Sequence, residues 1–170
     1  GGNIGIGQDI QGLIRVIDHF TEDSDIHFLF VGEGTEFGTI NNWITKDSKK
    51  NVTLLPAVSN EEYQSILNEC DVGIVSLRND FVTNNYPNKM LNYMRYSLPI
   101  LATINSDIDL NNFINKHKIG LVAHNGDDES LIKNINFLAK NRKERNLMGV
   151  NGYDLLEKKF SSKVAANQIL

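Results

Sequence analysis

The residues best suited to chemistry in this sequence sit where loops turn into helices. Tyr86-Pro87-Asn88-Lys89 ends a polar loop and opens a helical stretch. Pro87 suits a helix start, and Asn88 is placed to satisfy free N–H groups there. Lys89 is the odd residue, because a cation in the first turn opposes the helix dipole by about 0.3 kcal/mol or more. A phosphate held between the N–H groups and the ammonium removes the conflict. The plainer alternative is a solvated lysine on a capped helix. Two glycine-rich turns have similar potential: Gly1-Gly2-Asn3-Ile4-Gly5-Ile6-Gly7, leading into a helix at Gln8, and Val31-Gly32-Glu33-Gly34. Glycines there let backbone approach a ligand closely, although such turns also occur without one.

Other reactive side chains carry weaker signals. His19, His27, His117 and His124 are scattered and show no metal spacing. Asp107 and Asp109 could pair as carboxylates but read better as caps of the helix that follows. Asp127-Asp128-Glu129 complements the dipole of the helix it opens. Cys70, the only cysteine, can form no internal disulfide and reads as a small core residue. There is no Gly-x-Ser-x-Gly elbow, phosphate-binding P-loop or Asp-x-Asp, and neither a metal nor a cofactor is expected. With 170 residues, 41% hydrophobic and 22% charged, the chain suits one globular domain. A net charge of −4 argues against nucleic acid as the main partner. No apolar run approaches the ~18 residues that span a bilayer.

The elements that must position these loops alternate. Continuous apolar runs cover residues 26–31 (IHFLFV), 51–55 (NVTLL), 71–77 (DVGIVSL), 99–103 (PILAT) and 119–123 (IGLVA). Continuous rather than alternating runs are expected of parallel strands covered on both faces. Helical periodicity covers residues 8–20, 60–69, 88–96, 129–139 and 142–159, with Ser59 and Glu62 forming a capping box before the second. The prediction is α/β: a Rossmann-like parallel sheet of about six strands flanked by helices, one domain over residues 1–170. A sixth strand is expected ahead of Gly1, either wholly or with only its end present, and the chain reads as a fragment of a longer protein. Ligands of such sheets bind beyond the carboxyl ends of the strands, which is where the three loops fall.

In order along the chain, these segments resemble the donor-binding, C-terminal half of two-domain GT-B glycosyltransferases of the large retaining group that builds bacterial polysaccharides. Gly2-Asn3-Ile4-Gly5 is similar to the family's opening Gly-Asn-x-Gly. Phe28-Leu29-Phe30-Val31-Gly32-Glu33-Gly34 resembles its strand-and-glycine turn, and Asn51-Val52-Thr53-Leu54-Leu55 and Glu69-Cys70-Asp71-Val72-Gly73 resemble the next two segments. Pro87-Asn88-Lys89-Met90-Leu91-Asn92-Tyr93-Met94 is similar to the family's Pro-Ser-Lys helix, followed by Pro99-Ile100-Leu101. Gly120-Leu121-Val122 and Leu147-Met148-Gly149-Val150-Asn151-Gly152 resemble the closing motifs. The subgroup with the closest flavour is the O-antigen and capsule amino-sugar transferases, which act on lipid-diphosphate acceptors at the cytoplasmic face.

The resemblance implies that Asn3 and Gly5 lie against a donor diphosphate, that Gly32 and Gly34 border the donor pocket, and that residues 56–58, including Val58, lie near the base. It implies that Tyr86, Pro87, Asn88 and Lys89 hold the phosphates and that Asn92 meets the ribose. The donor expected is a nucleotide-diphosphate sugar, a UDP-sugar first. The acceptor, a glycan or lipid-linked sugar, would be bound by an N-terminal domain. Cytoplasmic placement with peripheral membrane association of the whole protein is implied as well. The chain departs from many relatives at Asn84 and Asn92, which align with a pair of glutamates, and at Asn3 and Gln8, which stand near the places of an Arg and a Lys. Three alternatives remain: a sugar-nucleotide 2-epimerase, a non-catalytic nucleotide-sugar-binding module, and a flavodoxin-like receiver domain that lacks its acidic cluster.

Overall fold

The structure is a computed structural model that describes residues 1–80, 87–105 and 109–160. The chain runs β1 (Gly2–Asn3), α1 (Ile10–Ile17), β2 (Phe28–Glu33), α2 (Phe37–Asp47), β3 (Val52–Leu55), α3 (Asn60–Glu69), β4 (Gly73–Ser76), α4 (Asn88–Arg95), β5 (Ile100–Ile104), α5 (Asp109–His117), β6 (Gly120–His124), α6 (Asp128–Lys140) and α7 (Arg142–Phe160). Local chemistry starts several helices. Asp9 caps α1 by accepting from the Gly12 N–H at 3.0 Å, and Asp127 caps α6 from the Ser130 N–H at 3.0 Å. Ser59 and Glu62 form the expected reciprocal box on α3, at 3.2 and 2.9 Å. Asp109 opens α5, while Asp107 lies outside the described residues. Helix α2 lies outside the stretches of helical periodicity, and only the glycine turn before it points to it.

Every strand pair is parallel, in two three-stranded sheets ordered β1-β2-β3 and β4-β5-β6. Set end to end, the two orders read 3-2-1-4-5-6, the doubly wound sequence whose direction reverses between β1 and β4. The expected single sheet is therefore present in two halves. Its inner edges are β1 with β2 on one side and β4 on the other. Between them lies a cavity of about 730 Å³ lined by β2, β4 and the helices over them.

Two apolar cores hold the helices on the sheets. One joins α1, α2 and α6 to β2 and β3, through residues such as Val16, Ile40 and Leu138, and reaches Leu101 and Ala123 of the second sheet. The other joins α3, α4, α5 and α7 to β4 and β5, through Leu67, Met90, Met94, Ile114 and Leu155. All five residues of β5 are buried, as expected for a central parallel strand. Cys70 is half-buried and packs on the second core; desolvation raises its thiol pKa.

One contact fixes how α7 lies on α4. A side chain at Gly149 would collide with the backbone carbonyl of Ser97, just past the end of α4, so α7 rests there backbone to backbone. Gly38 in α2 faces open space. Gly149→Ala should therefore lower the melting temperature by several degrees, corresponding to about 1–3 kcal/mol of overpacking. Gly38→Ala should leave it unchanged or raise it slightly through helix propensity, by up to about 1 kcal/mol. Thermal unfolding followed by circular dichroism distinguishes the two.

Candidate functional site

The reversal between β1 and β4 is where an open α/β sheet offers a crevice at its carboxyl edge. The Gly2–Ile4 segment forms one wall. Gly2 pairs with Gly32 and Asn3 with Glu33, and the Ile4 N–H continues the ladder to the Glu33 carbonyl at 2.8 Å. The Ile4 carbonyl accepts from the Glu36 N–H at 3.0 Å, tying the first glycine loop to the turn before α2. Gly32 and Gly34 make this possible. Their φ angles are 145° and 149°, and a Cβ on either would strike the Gly2 or Ile4 backbone. Gly5 packs less tightly on Asn3, where a Cβ would lie 3.1 Å from the side-chain amide. The Gln8 side chain donates to the Asn3 carbonyl, and the Gln8 N–H to the Gly5 carbonyl at 3.0 Å. Four predicted residues, Asn3, Gly5, Gly32 and Gly34, thus form one cluster.

The second half of the fold closes on this loop. The Arg78 N–H, just after β4, donates to the Gly7 carbonyl at 3.1 Å. Asn125, at the carboxyl end of β6, donates to the Leu77 carbonyl at 2.7 Å and to Asp9 at 3.1 Å, while its own N–H reaches the Ile104 carbonyl at 3.0 Å. Asn125 thereby joins the ends of β4, β5 and β6 to the cap of α1. Sequence reasoning missed it and Arg78. The available signal was position, since each follows a strand directly at the carboxyl edge. The Arg78 guanidinium pairs with Asp80 at 2.8 Å, in an exposed bridge of little intrinsic strength.

Helix α4 supplies the remaining residues. Pro87 is its N-cap, with φ −59° and ψ 129°, and no side chain caps the helix. This corrects the expected capping role of Asn88, which lies inside the first turn and is exposed. Proline has no side-chain acceptor, so no N-cap side chain takes up the first N–H groups of α4 among the described residues. Lys89 is half-buried and lines the inter-sheet cavity with Gly1, Tyr63 and Tyr93. Desolvation there lowers its pKa to about 8. The Tyr93 hydroxyl, one turn on, lies 3.3 Å from the Gly1 nitrogen and donates to the Ile74 carbonyl at 3.3 Å, which brings α4 against the start of β1. Asn92 is half-buried on α4, and Val58 is half-buried in the connection from β3 to α3. Neither joins the Asn3 cluster through a hydrogen bond among the described residues. Tyr86 and Asn84 lie outside those residues. No group of three His, Cys, Asp or Glu side chains suited to a metal occurs among the described residues, and no described helix is long and apolar enough to cross a membrane.

Known proteins share this fold. An uncharacterized glycosyltransferase of Methanocaldococcus jannaschii is 26% identical over 151 residues, covering 89% of this chain and 41% of its own length. The chain thus spans less than half of that relative. In fold, it resembles S. aureus TarM, solved as a variant with fondaparinux, α-GlcNAc-glycerol and UDP; the TM-score is 0.76 at 19% identity, over 99% of this chain and 34% of TarM. It also resembles the C-terminal domain of a glycosyl transferase group 1 protein, LpcC, of Francisella tularensis; the TM-score is 0.74 at 16% identity, over 95% of this chain and 84% of that one. The family model of glycosyl transferases group 1 matches residues 2–155. With nearly its whole length matched, and one half of a GT-B fold in its architecture, the chain belongs to the glycosyl transferases group 1 family.

Proposed function

We propose that this chain is the donor-binding half of a glycosyltransferase and that it takes a nucleotide-diphosphate sugar, a UDP-sugar first, at the crevice between the Asn3 loop and the start of α4. The observation that carries this reading is the pairing of a helix N-terminus whose N-cap, Pro87, offers no side-chain acceptor with a desolvated lysine in its first turn. Helix N–H groups and an ammonium suit a diphosphate, and low local polarity strengthens their attraction to it. The same groups would stabilise charge on the departing nucleoside diphosphate as the sugar–oxygen bond breaks. Gly5, Gly32 and Gly34 would let the backbone approach the donor, with Val58 toward the base and Asn92 toward the ribose. TarM, a structural relative, was solved with UDP and a GlcNAc-glycerol, which supports both the donor class and a glycan-type acceptor.

The acceptor, lipid-linked or glycan, would be held by an N-terminal domain of the whole protein. A role in bacterial capsule or O-antigen synthesis, amino-sugar specificity, retention of configuration and action at the cytoplasmic face of a membrane belong to the same proposal. No bound metal or cofactor is invoked. With the acceptor half absent, the chain alone should bind UDP but give no sugar transfer from labelled UDP-sugars. Transfer by the isolated chain would overturn that division of labour. The neutral Asn84 and Asn92 leave a binding-only reading open, and full-length protein that binds UDP-sugars without turnover would favour it.

Lys89→Ala should weaken UDP binding by about 10- to 100-fold, the worth of one charge-assisted hydrogen bond. Its effect should exceed those of Asn3→Ala, Asn88→Ala and Asn92→Ala in isothermal titration calorimetry. Unchanged affinity would remove the centre of the proposal. The depressed lysine pKa adds a pH signature. Lys89 is charged below about 8 and neutral above it, while a bound diphosphate favours the charged form and raises that pKa. Binding near pH 8 should therefore take up a proton, and affinity should fall about tenfold from pH 7 to pH 9. Lys89→Ala should flatten the profile across that window.

A further inference from the structure

We infer that Arg78 is a second anion-binding residue of the proposed donor crevice, held by Asp80 until the diphosphate of a nucleotide displaces that carboxylate. The role depends on the donor reading of the crevice and adds to it a residue that reading does not use. Position is the first support. The order 3-2-1-4-5-6 sets β1 and β4 opposite one another at the reversal, so residues just past these two strands stand at the mouth of the crevice. Arg78 is the second residue past β4, and its N–H donates to the Gly7 carbonyl at 3.1 Å. Its backbone is thereby fixed to the glycine loop on one side, while the chain leads on to α4 at Asn88 on the other.

Charge is the second. Between each strand and the helix that follows it lie residues 4–9, 34–36, 56–59, 77–87, 105–108 and 125–127. Across all of these the sequence has one Lys or Arg, which is Arg78. The first four residues of the helices they open add one more, Lys89. A diphosphate is multiply charged, and the Lys89 ammonium alone leaves it incompletely balanced, since Asn3 and Gln8 are neutral. Arg78 is the cation in place to share that load. The geometry of its bridge is the third support. Nε donates to one Asp80 oxygen at 3.0 Å and Nη2 to the other at 2.8 Å. A guanidinium takes two phosphate oxygens with the same fork, so Asp80 occupies the group in the manner of the ligand. Both side chains are exposed, at 44% and 69%. Water screens such a pair, and exchanging the carboxylate for a phosphate costs little.

Isothermal titration calorimetry of the full-length protein with UDP tests the role. Arg78→Ala should weaken binding about tenfold, the lower end for a charge-assisted hydrogen bond. Arg78→Lys, which keeps the charge and loses the fork, should fall between the two. Asp80→Asn should tighten binding about two- to fivefold, the range of an exposed ion pair. That gain should vanish when Asp80→Asn is combined with Arg78→Ala, because a carboxylate that acted only by long-range repulsion would still matter without Arg78. The hydrogen bond to Gly7 comes from the backbone and does not depend on either side chain, so melting temperatures should stay close to that of the unaltered protein. Arg78→Ala that binds UDP as tightly as the unaltered protein overturns the inference, and so does a gain from Asp80→Asn that survives in the combined variant. Lys89→Ala separates the two levels. If it weakens binding while Arg78→Ala does not, only the role of Arg78 falls; if the unaltered protein binds no UDP, the donor reading falls and this role with it.

Discussion

The contact on which the crevice depends is the approach of Gly32 and Gly34 to the backbone of Gly2 and Ile4. No side chain separates the two chains there. β1 can therefore lie directly on the end of β2 and hand its carbonyls to the turn before α2. A Cβ at either glycine would force β1 outward, and the loop through Gly5 and Gly7 would lose its position relative to Arg78 and Asn125. The rest of the carboxyl edge is fastened to this contact by single hydrogen bonds of 2.7–3.1 Å from Asn125 and Arg78. Backbone geometry sets the shape of the crevice, and side chains at Asn3 and Gln8 complete it.

Charge is sparse by comparison. The Arg78 guanidinium is occupied by Asp80, Gln8 is neutral and spends its amide on the Asn3 carbonyl, and Lys89 is partly withdrawn from water. Burial makes the charged form of the Lys89 ammonium less favourable, and on the proposed reading a bound diphosphate would offset that cost. A donor site made this way would discriminate between charged and neutral ligands while holding few fixed charges. It also makes the environment of Lys89, shaped by Tyr63 and Tyr93, as consequential as the lysine itself.

Much of the fold was legible because local signals agree with tertiary ones. The capping box at Ser59 marked α3 to the residue, and continuous apolar runs located five strands within about two residues. Helix α2 was less visible because only Ile40 and Trp43 are buried along it, leaving a mostly polar pattern. The glycine turns were recognisable, but the reason for them was not: Gly32 meets a backbone thirty residues away. Asn88 read as a cap because sequence does not show whether the proline before it stands inside or outside the helix. Lys89 is half-buried beside a cavity that Gly1, Tyr63 and Tyr93 also line, residues on other turns and elements that no spacing along α4 reveals. Asn125 lies beyond a short strand with no motif of its own, and its role appears only when three strand ends converge.

The seat of Gly149 on the Ser97 carbonyl has a mechanical consequence for α4. With its carboxyl end stopped against the backbone of α7, this eight-residue helix cannot slide along its axis without moving the whole of α7. A tilt of the helix would have to turn about that stop. At about 12 Å in length, a tilt of roughly 5° swings its first turn by about 1 Å, a displacement large enough to matter for positioning reacting groups. Any adjustment of the Lys89 end would thus be a small rotation with its fulcrum at α7. The exposed flank of that helix, bearing Leu147, Val150 and Tyr153, lies on the lever's supporting beam.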